Sequence, residues 1–216
     1  MLHSKSRTRA FPQGASAIAV LVGILGVLIL FGAASFGIYA RGYNRAVRLE
    51  QSAKAAWADV DAQLQRRFDL VPNLVETVKG YANQEKEIFE NIAQARTKYF
   101  QSDSVGQKID ASNQLSGLLS RLLVLRETYP ELKSNQNFLA LQDQLEGTEN
   151  RISVARTRYN ETVRELNTYT RELFGSWFSR KAGVEPQPLF ETTEQARTGP
   201  PKVEFSPSAQ PAPQSK

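Results

Sequence analysis

The sequence predicts an all-α protein, one N-terminal transmembrane helix continuing into an antiparallel four-helix bundle. Three observations predict it. No residue from Ala10 to Ala40 carries a charge. From Arg41 to about Phe178 apolar residues recur at spacings of three and four, the period of a helix with one buried stripe. Proline and serine–glycine clusters cut that stretch into four amphipathic segments, and such segments bury their stripes best against one another in up-down order.

Residues 1–14 are a basic polar leader with Lys5, Arg7 and Arg9, and residues 15–40 are assigned to the transmembrane helix. Ile18 to Tyr39 is dense in Ile, Val, Leu, Phe, Gly and Ala. At about 1.5 Å per residue, roughly 20 apolar residues cross about 30 Å of hydrocarbon, and this run is long enough. A cleaved signal peptide is the competing reading, since Gly32-Ala33-Ala34-Ser35 offers small residues. Signal h-regions hold about 7–15 apolar residues, so the greater length favours a retained anchor. Tyr39 and Tyr43 suit an interfacial belt. Gly23, Gly26 and Gly32 let helices approach closely, so association into a homo-oligomer through this helix is expected. The expected location is the cell (inner) membrane, crossed once. Lys5, Arg7 and Arg9 on one side nearly balance Arg41, Arg45, Arg48 and Lys54 on the other, which leaves the side of the bundle open.

The bundle is assigned to residues 41–180. Helix one carries the stripe Ala46, Leu49, Ala53, Trp57, Val60, Leu64, Phe68 and Val71. Pro72 is expected to end it and open helix two, because proline lacks an N–H and clashes one turn back. Asp69 then lies near the new N-terminus. Helix two reads Leu74, Val78, Tyr81, Glu85, Ile88, Ile92, Ala95 and Tyr99. Ser102, Asp103, Ser104 and Gly106 form a capped turn. Helix three follows from Ile109 to Leu125 and stops at Tyr129-Pro130, where the residue before proline leaves the helical region. Ser134 or Asn135 caps helix four, whose stripe runs from Phe138 through Leu145, Ile152, Tyr159 and Leu166 to Leu173. Residues 181–216 hold seven of the ten prolines and are expected to be a disordered Pro-rich tail. Its Pro-containing stretches are the part that a groove-type partner would take.

Composition narrows the chemistry. The chain has no cysteine and one histidine, His3 in the leader, so thiolate chemistry is excluded and the commonest general base is missing from the folded part. Three of the 27 basic residues lie in the leader; the other 24 face all 22 acids after Ala40, a body charge of only +2. Both signs interleave, which argues for a solvated helical surface and against nucleic acid as a partner. Di-metal bundles use Glu-x-x-His pairs, and these are lacking, as is a glycine-rich phosphate loop. No metal and no cofactor are expected.

Two polar clusters remain. Arg66, Arg67 and Asp69, with Pro72 and Asn73 at the expected helix junction, are readable as an anion pocket at a helix N-terminus, or as a cap in which Asp69 neutralises its own arginine. Glu85, inside the helix-two stripe, is readable as a general acid or base of raised pKa. The structural alternative is a buried carboxylate paired with Arg96 or Arg156, fixing register, and it is favoured because no second catalytic group accompanies Glu85.

The same residues lie within the densest motif block, Gln63-Leu64-Gln65-Arg66-Arg67-Phe68-Asp69-Leu70-Val71-Pro72-Asn73-Leu74, followed by Val78-Lys79-Gly80-Tyr81. Tyr129-Pro130-Glu131-Leu132-Lys133, Asn137-Phe138-Leu139-Ala140-Leu141-Gln142, Arg151-Ile152 and Tyr159-Asn160 follow. Over roughly residues 41–191 these runs resemble the LemA family of bacterial membrane-anchored helical proteins. The resemblance implies an antiparallel four-helix bundle behind one spanning helix and no established enzymatic activity. Phe174-Gly175-Ser176-Trp177 departs from the family's pattern, in which a proline often follows a Phe there. The function expected is a non-enzymatic scaffold or adaptor that binds a protein partner at the membrane surface. The alternatives are a membrane-bound acid/base enzyme using Glu85, or a membrane-remodelling protein.

Overall fold

The computed structural model describes residues 13–191, with side chains from residue 20; the leader and residues 192–216 lie outside the described residues. The protein is all-helical, with no strand among the described residues. Among the described residues six helices follow in order: α1 Gln13–Lys79, α2 Lys86–Gln101, α3 Val105–Thr128, α4 Pro130–Ser134, α5 Gln136–Arg171 and α6 Leu173–Ala182. The two beyond the expected four are the single-turn α4 and the separate α6.

Several boundaries follow from local chemistry. Ser104 caps α3, its hydroxyl accepting from the Gln107 amide at 3.3 Å. Tyr129 ends α3, and Pro130 occupies the first turn of α4, where its missing N–H costs nothing. Asn135, one of two expected caps, accepts from the Phe138 amide at 3.0 Å and starts α5.

Pro72 corrects the expectation. It neither ends helix one nor opens helix two: α1 passes through it to Lys79, and α2 starts at Lys86. An interior proline costs a helix about 3 kcal/mol. Here Leu64, Phe68 and Val71 before it and Leu74, Val75 and Val78 after it are all buried along the same helix. At about 1.5–3 kcal/mol for each large apolar side chain buried, one continuous stripe outweighs the lost backbone bond.

Two compact units are distinguishable. The first comprises, among the described residues, 13–56 together with Glu161–Gln187. On its stretch of α1 from residue 20, the large apolar residues up to Phe36 and Ile38 are solvent-exposed, among them Leu21, Leu25, Leu28 and Phe31. This is the one helix among the described residues long and apolar enough to cross a membrane. Further along, Ala46 and Ala53 are buried, as are Val163, Leu166 and Tyr169 of α5. The Tyr169 hydroxyl donates to the Gly42 carbonyl at 2.8 Å, and the Arg45 guanidinium lies 5.0 Å over the Tyr169 ring. α5 breaks at the extended Glu172, and Gly175 then packs so closely on the Tyr169 carbonyl that a Cβ there would collide with it. Gly42 is equally constrained by the Phe178 ring. Gly183 ends α6 in the left-handed conformation, with the Val184 amide bonded back to Ser179.

The second unit comprises Trp57–Asn160 and, among the described residues, 188–191. Its core holds Val60, Leu64 and Phe68 of α1, Ile92 and Tyr99 of α2, Leu115 and Leu122 of α3, and Phe138 and Ile152 of α5. α2 packs against α3, and α3 against α4.

The start of the expected tail also needs correction. Asn167 grips the Gln187 backbone at both its N–H and its carbonyl, at 2.9 and 2.8 Å. Asn160 does the same to Phe190, at 2.8 and 3.0 Å. Tyr159 donates to the Pro188 carbonyl at 2.8 Å, and the Phe190 side chain is buried. Two apolar anchors, Val184 and Phe190, within a few residues offset the ordering entropy that composition alone suggested would win.

Candidate functional site

Two polar centres sit in the second unit, both built on α1. The first is Arg67. Leu64, Arg67, Val71, Leu74 and Val78 follow one another at spacings of three and four, which puts an arginine in a core position of a heptad-like stripe. Its side chain is 2% exposed. Nη1 donates to the Glu149 carboxylate at 2.9 Å and to the Ser116 hydroxyl at 3.0 Å. Nη2 donates to the Ser112 hydroxyl at 2.6 Å and to the Ser112 carbonyl at 3.0 Å. Nε is buried without a partner. Burial pushes the guanidinium below its ordinary pKa, and the Glu149 carboxylate pulls in the opposite direction. One side chain thereby ties α1 to α3 and α5, and any slip of register would strand its charge.

The second centre is Asp61. It accepts from the Tyr99 hydroxyl at 2.6 Å and from Lys108 at 3.0 and 3.1 Å, which joins α1 to α2 and α3. Gln65 adds a fourth contact at 3.2 Å. The Tyr99 ring stacks on Phe68 with centroids 4.2 Å apart. Burial, and then the bond to Asp61, drive the Tyr99 phenol well above the usual tyrosine range. A phenol so held stays protonated at neutral pH and serves as a hydrogen-bond donor, not a nucleophile.

Two clefts flank these centres. One of about 290 Å³ lies beside Arg67 and is lined by Ser116, Ser120, Gln142, Glu146 and Glu149. The other, about 490 Å³ and more open, runs past Asp59, Gln63, Asn150, Arg151 and Arg158. In the first, the Ser116 and Ser120 hydroxyls donate to the Ser112 and Ser116 backbone carbonyls and not to a carboxylate, and among the described residues no group of three acidic, His or Cys side chains is placed to hold a metal ion.

The residues singled out from sequence are dispersed. Only Arg67 enters the core; Arg66, Asp69, Pro72 and Asn73 are exposed along α1. The anion pocket and the Asp69 cap both required a helix N-terminus at Pro72, and α1 has none there. Arg67 pairs with Glu149, not Asp69. Asn73 contributes its carbonyl, which accepts from the Thr77 hydroxyl at 2.8 Å. Glu85 is half-buried at the N-cap of α2, its carboxylate making no capping bond, and it forms no ion pair with Arg96 or Arg156 among the described residues. It lies outside α2, which starts one residue after it; Ile92, Ala95 and Tyr99 of the expected stripe are buried, with Phe89 in place of Ile88. Sequence reasoning missed Asp61, Lys108 and Ser112; Tyr99 was read only as a stripe residue and Glu149 only as part of the motif runs, neither as a partner in these centres. The signal for the first centre was present, since Ser112 lies three residues after Ile109 and seven before Leu119, within the α3 stripe.

The sequence model of the LemA family matches residues 56–205. The chain is also similar to Protein LemA of Metamycoplasma hominis, with 22% identity over 174 residues, 78% of this chain and 80% of that protein.

Proposed function

The chain belongs to the LemA family, and from that premise we propose that it is a membrane-anchored, non-enzymatic scaffold that presents a four-helix bundle to protein partners. In this reading residues 20–40 of α1 cross the cell membrane once. The later part of α1, with α2, α3 and α5, forms the antiparallel bundle. The observation that carries it is within α1: a run of exposed apolar side chains without charge passes, with no break in the helix, into a segment whose apolar side chains are buried. Support also comes from the two polar centres, whose functional groups are turned on neighbouring helices and so consumed in positioning them. Such a core suits a body that keeps its shape while its surface binds.

The test has two arms. Full-length chain is expected in membranes after an alkaline wash, and chain lacking residues 13–40 in the soluble fraction. The bundle, used as bait against detergent-solubilised membranes, is expected to enrich defined proteins over an anchor-only control. Release of the full chain by alkali removes the anchor from this reading, and equal recovery by bait and control removes the scaffold.

A further inference from the structure

The first unit carries a second apolar surface that its own packing leaves uncovered. On α6, Leu173 is 83% exposed and Phe174 73%, and Trp177 one turn on is also exposed. These three share a face by helical periodicity, while Gly175, Phe178 and Ser179 form the buried face. The position of that face is fixed by α1. The Trp177 ring lies 5.7 Å from Tyr39, edge to face, and Phe178 packs on Gly42 and lies 6.1 Å from Tyr39. Tyr39 is the last aromatic residue of the uncharged run, and Arg41 is the first charge after it.

We propose that α6 is an interfacial helix that seats Leu173, Phe174 and Trp177 in the headgroup–acyl boundary of the bilayer, beside the exit of α1. The inference rests on the spanning role given to α1 above. If α1 spans, Tyr39 stands at the boundary, and ring contact puts the Trp177 indole at the same depth. An indole there buries its body in acyl chains and keeps its N–H near water, as tryptophan does in interfacial belts. A short amphipathic helix with an aromatic and aliphatic face binds a surface this way. The charges agree: Arg41, Arg171, Arg180 and Lys181 are exposed around the apolar face, against the acids Glu172 and Glu185, and this basic excess suits lipid phosphates. A protein groove over the same face would have to lie against the membrane surface itself.

Trp57 and Trp177 are the two tryptophans, which gives a direct test in the full chain. The chain is reconstituted in vesicles of phosphatidylcholine brominated near the headgroup or deep in the acyl chain. In W57F, Trp177 is expected to be quenched by shallow bromines roughly twofold more than Trp57 is in W177F. Leu28→Trp in the chain lacking both native tryptophans reports α1 separately and is expected to respond to deep bromines. Quenching of Leu28→Trp without quenching of Trp177 overturns the interfacial helix and leaves the anchor standing. Loss of both signals overturns the two together. Equal quenching of Trp57 and Trp177 also counts against α6, since it reports general adsorption. Leu173→Gln with Phe174→Gln in the otherwise wild-type chain is a second arm, expected to lower shallow quenching by about half; an unchanged value overturns the assignment of this face to lipid.

Discussion

Residues 20–40 and residues 57–79 belong to one helix, yet they handle their leucines in opposite ways. In the first stretch Leu21, Leu25, Leu28 and Leu30 are exposed all round and no charge interrupts them. In the second, Leu64 and Leu74 are fully buried on one face, and Asp59, Arg66, Asp69 and Glu76 occupy the other. Both are α-helical. What differs is the surface pattern: the first suits hydrocarbon, which has no polar face to satisfy, as the proposed anchor requires, whereas the second meets water on one face and the core on the other. An exposed leucine is therefore informative only with its neighbours. Twenty together describe a solvent, and one alone describes nothing.

The sharpest way to break the comparison is to move charge. In the packed stretch, Arg67 is fully buried but its partner Glu149 is 54% exposed, so the two ends of the pair differ. Glu149→Ala strands a buried cation and is expected to cost about 3 kcal/mol in urea unfolding. Arg67→Met lets Glu149 return to water and is expected to cost clearly less; the reverse order would show that Arg67 is held by Ser112 and Ser116 alone. In the apolar stretch, Leu28→Arg is expected to cost about 2.5–3.5 kcal/mol of membrane insertion and to leave the melting of the second unit unchanged. An unchanged membrane fraction after an alkaline wash contradicts the spanning assignment.

A smaller effect is expected at Pro72, which is exposed and withholds a backbone donor from the helix. Pro72→Ala is expected to raise stability by about 1–3 kcal/mol, read as a higher melting temperature. A lower one would show that α1 needs the local bend that proline imposes. Smallest is Tyr99→Phe, expected to cost about 1 kcal/mol because Asp61 keeps Lys108 and Gln65. It also changes the pH response. Burial raises the Tyr99 pKa and pushes that of Tyr159 up to about 12. A proton held more tightly in the folded chain stabilises it fully below the unfolded tyrosine value of about 10, and that stability is lost as pH rises above 10. The Phe variant is expected to show a shallower fall between about pH 10 and 12 in the same denaturation series. Parallel curves would mean that Tyr99 ionises freely.

Helix type, the apolar run, the Tyr129-Pro130 stop and the caps at Ser104 and Asn135 were legible in the sequence because each depends on groups within about four residues of one another. Pro72 was misread because a local rule met a non-local stripe, and burial on both sides outweighed the single break. Glu85 inherited its error from Pro72, since the later helix start leaves it outside α2 while Ile92, Ala95 and Tyr99 keep their expected register. Arg67 was read as part of an anion pocket or as the partner of Asp69, and neither its core position nor its pairing with Glu149 was legible. Its bonds to Ser112 and Glu149 span 45 and 82 residues, and nothing in either local sequence marks the other.

By itself, then, the sequence determined that this chain is helical, that one segment suits hydrocarbon, and where most turns fall. Backbone hydrogen bonding and transfer from water act over a few residues, so they are written locally. Tertiary structure alone decided which polar side chains meet in the core, where α6 folds back on Gly42 and Tyr39, and that residues 184–191 pack. Those outcomes depend on side chains far apart in the chain reaching the same few ångströms, and on which alternative leaves fewest buried charges unpaired.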